Sequence, residues 1–295
     1  MHPAGEQGHH LQLCGDLQAG QAQEVDFSDY LPKTTKDIGE LWQTLAGFVA
    51  SFQNPYLKAL IEVFMADPEL AEAYRNAPAA KTLHHAYIGG LLDHVVSLFR
   101  SCDLLCRNYP QINRDLLLTG AFFHDIGKIY ELTYNRSFSY TTRGQLLGHM
   151  IIELEMLQAK LAQVPGFPDE LKTLVEHLII SHHGEYEFGS PKLPMFPEAL
   201  MLHYLDDLDS KMESMRAHFE REAGTENAWT GYNASLGRPL LNTTKFLEKK
   251  PAGAPVSRED SGHSTSGADT PTLPGLDLDS NGSRPVPAAA RAEKS

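Results

Sequence analysis

Apolar positions recur at helical spacing through most of the chain. Ile38, Leu41, Leu45 and Phe48 lie three or four residues apart and predict a helix opening near residue 36. Asn54-Pro55 starts a second, with proline at an early position where it is tolerated and Leu57, Leu60, Ile61 and Phe64 on the apolar face. A long helix is expected from about His84 to Arg107. Asn113 is placed to N-cap the next one and Gly127 to stop it. Leu116–Phe123 is apolar almost throughout, so that helix should be buried. Residues 129–142 are β-branched and aromatic around Asn135-Arg136, which predicts a small hairpin. Helical patterns resume at about 143–164, at 169–183 with Gly184 behind it, and at 197–222. The prediction is an all-α fold, a helical bundle with a small β-hairpin insertion.

The ends read differently. Residues 1–34 are Gly- and Gln-rich with weak pattern, apart from one short strand candidate at 10–14. The segment 1–32 has five acids and no Lys or Arg, unlike the basic start of a secretory leader. After Phe246 no aromatic residue occurs. Residues 248–295 include 6 Pro, 5 Gly and 7 Ser, a composition that cannot bury enough apolar area to offset ordering, so a disordered C-terminal tail is expected. The expected organisation is an N-terminal extension (1–34), a folded domain (35–247) and the tail (248–295).

Composition narrows the function. The 295 residues suffice for one large domain or two small ones. No run approaches the ~18 apolar residues of a membrane span, so no membrane partner is expected. The net charge of −13 argues against a protein held on nucleic acid by bulk charge. It leaves open a nuclease whose phosphate contacts come from metal ions. Three cysteines make no disulfide framework and fit a reduced, cytoplasmic protein. Cys102 and Cys106 are four apart with no third cysteine nearby, which favours packing over a metal site.

Histidines and aspartates carry the chemistry. His124-Asp125 ends the apolar run, placing an imidazole and a carboxylate side by side near a buried helix. Burying a carboxylate is costly unless it is paired or binds metal. For this pair alone, a loop-capping aspartate and a core histidine remain the other reading. His94, His149, His182-His183 and Asp206 each lie on, or at the end of, a largely apolar helix. A bundle can project such residues into one site. Asp209, one turn after Asp206, is placed to orient a ligand. Asp207 is expected to face solvent, and His203 to support a ligand or fill the core.

The order His, His-Asp, two further His, then Asp resembles the HD superfamily of metal-dependent phosphohydrolases. The segments 83–98, 122–132, 140–150, 177–192 and 198–212 resemble more closely the HD domain of YhaM-type 3′→5′ exoribonucleases, and the resemblance spans about residues 24–245. It implies a phosphodiesterase that removes nucleotides from the 3′ end of single-stranded RNA or short oligonucleotides. By resemblance His94, His124, Asp125 and Asp206 hold one metal. Asp125 bridges to a second, held by His149 and by His182 or His183, with His182 the first choice. The implied cofactors are two divalent ions, Mn²⁺ by family; imidazole and carboxylate ligands suit Mn²⁺, Fe²⁺ or Zn²⁺ alike. Asp125 and Lys128 are the implied catalytic residues, Lys128 steadying the scissile phosphate. A lysine near a helix C-terminus is its plainer reading. His85, His183 and Lys192 are the implied substrate-binding residues. On an unbroken helix His85 would face away from His94, being 2.5 turns before it.

One departure matters. Full-length relatives carry an oligonucleotide-binding (OB) barrel before the HD domain, and the extension here is too short for one, at most a remnant. With the acidic charge, this favours short oligonucleotides or a partner protein that supplies the RNA; a homo-oligomer is compatible. Competing readings are an HD-class nucleotide or cyclic-dinucleotide phosphohydrolase, although the Gly-Tyr-Pro of the HD-GYP subgroup is missing, and a non-catalytic nucleotide-binding HD scaffold. Hydrolysis of (p)ppGpp is disfavoured, since no Glu-Asp pair follows the His-Asp.

Overall fold

The computed structural model describes residues 31–81, 85–134 and 138–248. The N-terminal extension, its strand candidate at 10–14 and the tail beyond Glu248 lie outside the described residues, as does the centre of the predicted hairpin, Asn135-Arg136.

Capping chemistry sets the first helices. Asp37 caps α1 (Ile38–Ala50) by accepting from the Glu40 N–H, and Leu41, Leu45 and Val49 turn inward. Asn54 caps α2 (Pro55–Ala66) from its side chain, and Asp67 caps α3 (Pro68–Asn76) in the same way. The α3 segment has few apolar residues, and the apolar spacing did not predict it; its Asp67-Pro68 start has the same form as Asn54-Pro55.

The long helix α4 (Gly90–Asn108) begins six residues later than the sequence predicts. Gly89 adopts φ +82° and His85 φ +49°, so the chain breaks before the helix. A Cβ on Gly90 would stand 2.0 Å from the His85 carbonyl oxygen, so the turn requires glycine there. The same stretch is tied to the chain start, where Ile88 exchanges backbone bonds with Pro32 and Thr34.

Helix α5 (Arg114–Phe123) is capped by Asn113 and buried from Asp115 onward, as its largely apolar run Leu116–Phe123 requires. It sits at the centre, packed by α2, α4, α8 (Asp169–Ser181) and α9 (Pro197–Arg221). Gly120 permits the approach: a Cβ there would lie 2.9 Å from a Leu202 methyl and 3.1 Å from one of Leu178. Tyr74 stacks on Phe122 at 5.2 Å and donates its hydroxyl to the Phe122 carbonyl.

The helix stops at Phe123, before Gly127, and His124-Asp125 lie in the turn that leads to α6 (Lys128–Glu131). Gly127 therefore has a different job from the predicted stop. Its φ is −63°, and a Cβ would meet the His149 carbonyl at 2.3 Å, so it lets α7 (Thr142–Leu161) come close. Between α6 and α7 the predicted hairpin is present as two-residue strands, β1 (Leu132–Thr133) and β2 (Ser139–Tyr140). A second hairpin, β3 (Trp229–Asn233) and β4 (Arg238–Leu241), departs from the purely helical reading of that region and is followed by α10 (Thr243–Glu248). The all-α class holds, with both hairpins peripheral to the bundle. Cys102 is fully buried in the core, as a packing residue should be. Among the described residues, no helix is long and apolar enough to cross a membrane.

Candidate metal centre and the cavity beside it

Five elements converge at one end of α5. His94 comes from α4, His124 and Asp125 from the turn after α5, His149 from α7, His182 and His183 from the end of α8, and Asp206 from α9. His94, His124, Asp125 and His182 are almost wholly buried. His149 reaches the site because α7 is kinked at Gly148, whose φ is +72°.

The ring hydrogen bonds decide which nitrogen faces inward. His124 Nδ1 donates to the Ala121 carbonyl at 3.0 Å and His182 Nδ1 to the Ile179 carbonyl at 2.7 Å. His94 Nδ1 donates to Asp209 at 2.7 Å, and His149 Nδ1 to Glu131 at 3.3 Å. The Nε2 atoms are thereby turned toward each other in two pairs, His94 with His124 at 3.2 Å and His149 with His182 at 3.4 Å. Burial, with the neighbouring imidazoles, holds His182 well below the usual histidine range, so its Nε2 is a bare lone pair. That lone pair is 3.4 Å from His149 Nε2 and 4.0 Å from the Asp125 carboxylate, where a cation would be met by all three groups. The donor set therefore fits a divalent metal centre.

Asp125 lies between the two pairs. One carboxylate oxygen is 3.4 Å from His124 Nε2; the other is 3.7 Å from His149 Nε2 and 4.0 Å from His182 Nε2. Burial works to raise its pKa, but Lys128, His124 and His149 outweigh that and hold it ionised. Asp206 stands 3.1 Å from His94 Nε2 and 3.8 Å from His124 Nε2. Burial alone would lower the His94 pKa, yet Asp206 and Asp209 hold it up at about 10 in the absence of metal. Metal binding at that nitrogen must displace a proton. Lys128 places its ammonium 2.6 Å from Asp125, where the carboxylate keeps it charged against the effect of burial.

A cavity of about 380 Å³ opens on this cluster, with Asp125, Lys128, His182, His183 and Asp206 on its floor. His183 donates from Nδ1 to the Phe188 carbonyl and shares a potential ligand group with His149 and His182. His85 is elsewhere. It lies behind His94, 3.1 Å from Asp209, and lines a second cavity with Tyr87 and Asp93. Lys192 does not line the metal-side cavity; it lies near His177, whose pKa it helps to depress. Asp209 bonds His94, as its spacing from Asp206 suggests. His203 donates to the His182 carbonyl at 3.0 Å and so supports a candidate ligand residue. Asp207, expected to face solvent, is half-buried: it lines the same cavity beside Asp206 and pairs with Lys211.

Two carboxylates escaped the sequence reading. Glu131 accepts from both the backbone and the ring of His149. Glu153 is fully buried beside Asp125 and His149; one oxygen accepts from the Gly127 N–H and the other has no partner. Its position four residues after His149, inside an apolar run, is a legible signal: the two share a helix face.

The comparisons with known proteins agree with this geometry. Residues 91–211 match the HD domain model. The chain is 36% identical over 235 residues to the 3′-5′ exoribonuclease YhaM of Bacillus subtilis strain 168, covering 79% of this chain and 74% of that protein. The chain belongs to the YhaM family. The YhaM of Geobacillus sp. strain WCH70 is 34% identical over 78% of this chain and 71% of its own length. That of Oceanobacillus iheyensis is 36% identical over 72% and 66%. No solved structure matches the chain. The aligned part, 235 residues, is longer than the HD-model match of 91–211, so the likeness to YhaM extends beyond that domain match.

Proposed function

We propose that the chain is a metal-dependent phosphodiesterase that removes nucleotides from the 3′ end of single-stranded RNA. The single observation behind this is the paired, inward-turned imidazoles with Asp125 set between them, in a member of the YhaM family. His94, His124 and Asp206 would hold one divalent ion and His149 and His182, with His183 beside them, a second; Asp125 would serve both. We assign Mn²⁺ on family grounds, and place the protein in the cytoplasm on its cysteine usage.

When bound, such a pair of ions supplies a water acidic enough to attack at neutral pH and neutralises phosphate charge. The chain does the rest. Asp209 and Glu131 fix the His94 and His149 rings by accepting from Nδ1, so those rings cannot rotate. Lys128 presents a desolvated cation at the cavity floor, where a phosphate oxygen gains more from it than in water. Asp125 keeps that ammonium in place.

The test is digestion of a 5′-labelled RNA of about ten nucleotides, in Mn²⁺ or EDTA, by wild type and Asp125→Ala. A ladder shortening from the 3′ end, dependent on Mn²⁺ and absent in the variant, is expected. No cleavage by a protein that binds two metals per chain would sink the reading.

A further inference from the structure

The wall of the metal-side cavity holds a feature the fold does not need. Phe188 and Tyr140 both line it, yet Phe188 is 64% exposed and Tyr140 44%. Neither ring belongs to the core, and each leaves apolar surface in water at the mouth of a charged site.

The backbone that carries both rings is nonetheless tied to the candidate ligand histidines. Phe188 ends the 3₁₀ turn Tyr186–Phe188, and its carbonyl accepts from His183 Nδ1 at 2.9 Å. The segment then closes at Gly189 (φ +80°) and is anchored by buried Ser190, which donates to the Ile180 and Lys192 carbonyls. Tyr140 pairs with Leu132 across the hairpin, and the next residue, Thr141, donates its N–H to Glu131, the residue that holds His149. Lys81 places its ammonium 5.4 Å from the Tyr140 ring centroid and lines the same cavity. The mouth thus combines two exposed aromatic faces, carried on tethered backbone, with a cation, beside Asp125, Lys128 and the clustered histidines.

We propose that this cavity is a nucleotide-binding pocket, in which the base of the 3′-terminal nucleotide stacks on Phe188 and Tyr140 while Lys81 meets the backbone. The assignment rests on the hydrolytic reading above and adds the groups that recognise the strand. Electrostatics favour it. A chain of net charge −13 gains little from the counterion release that drives most nucleic-acid binding, so affinity must come from elsewhere. Base–aromatic stacking is sequence-tolerant, since every base has a π-face. A volume of about 380 Å³ is at the low end of small-ligand pockets and suits one nucleotide. A paired terminal base cannot leave its stack to enter without cost, so the pocket selects single-stranded ends.

The experiment compares two 5′-fluorescein-labelled ten-nucleotide RNAs, one ordinary and one with an abasic 3′-terminal nucleotide. Their affinities for the full chain are read by fluorescence anisotropy with Ca²⁺ in place of Mn²⁺. Wild type should bind the ordinary RNA about 5- to 150-fold more tightly, the range expected for one stacked base. Phe188→Ala should lose most of that preference and Phe188→Trp should keep it. Tyr140→Ala should reduce it too. Equal wild-type affinities, or a full preference retained in Phe188→Ala, would overturn the pocket. Cleavage in Mn²⁺ is scored separately. Base-dependent binding without cleavage would defeat the hydrolytic reading and leave the pocket standing; cleavage without base dependence would do the reverse.

Discussion

Asp209 accepts a hydrogen bond from His94 Nδ1 at 2.7 Å, and this one contact orients a ring whose other nitrogen faces the candidate metal centre. Asp209 is itself held, by Ser97 at 2.5 Å and His85 at 3.1 Å. Burial would raise its pKa, but the bonds from His85, His94 and Ser97 hold it far below the ordinary value, so it stays ionised. Asp209→Asn keeps the shape and removes the charge. Its affinity for Mn²⁺ should fall about 10- to 100-fold, as for other carboxylates behind a ligating histidine. Titration against a competing chelator measures this, with circular dichroism to verify the fold. An unchanged affinity would mean that His94 does not depend on Asp209 for its orientation, or is not a ligand.

Glu153 makes an opposite pair of predictions. Burial, reinforced by the Asp125 charge, pushes its carboxyl well above the usual range, which favours the neutral acid in the metal-free protein. Gln is then close to an isostere: it still accepts from the Gly127 N–H, and its stability should lie near wild type in chelator. Glu153→Ala removes that acceptor and opens a void under α7. The loss should be about 2–4 kcal/mol, combining truncation with an unsatisfied buried donor. Urea unfolding in EDTA separates the two. A Gln variant as unstable as the Ala variant would show that Glu153 is held as a charge.

The His and Asp motifs that converge at one site, and the helices that carry them, are legible in the sequence because both are local. Asn54-Pro55 and Asn113 cap where their chemistry says they should. The misreadings fall where tertiary contact overrides local pattern. The His84–Arg107 periodicity runs through Gly89-Gly90, but the Gly90 Cα must pass against the His85 carbonyl, and the backbone breaks there. His85 then reaches Asp209 instead of facing away from His94. Gly127 looks like a helix stop, yet it is a contact point for α7. The hairpin β3–β4 carries Gly231 and Pro239 within its strands, which weakens any strand pattern. Glu131 and Glu153 were legible only after His149 was placed, because their roles are defined by that ring.

Gly184 is a position where the backbone and a neighbour both forbid a side chain. Its φ is +79°, and a Cβ would stand 2.2 Å from the His203 ring. The ring cannot retreat freely, since His203 Nδ1 donates to the His182 carbonyl. Gly184→Ala should cost about 2–4 kcal/mol, from left-handed strain plus overpacking. For a chain of this size that is a drop in Tm of roughly 5–15 °C. Adding His203→Ala should recover part of the loss, because the obstacle is gone while the strain remains. A strictly additive double variant, read by thermal unfolding, would show that the ring is not what the methyl meets.

His177 gives the pH dependence a sign. Its Nε2 accepts the Met195 N–H at 3.1 Å, which requires a neutral ring. Burial, aided by the Lys192 charge, lowers its pKa below the ordinary 6.5. The unfolded chain therefore binds this proton more readily than the folded one, and stability rises with pH. The contribution is complete above about pH 6.5 and is lost as pH falls through the depressed folded value. It should be modest, because the ring is only partly buried and solvent screens it. The Met195 bond closes the segment that begins at Gly184 and carries Phe188, so acid should loosen that wall of the cavity. His177→Gln offers an acceptor that does not titrate. Between pH 7.5 and 5, wild type should lose more Tm than the Gln variant, and the Phe188-dependent preference for a 3′ base should weaken only in wild type. Parallel Tm curves for the two proteins would remove His177 as the source of the acid sensitivity.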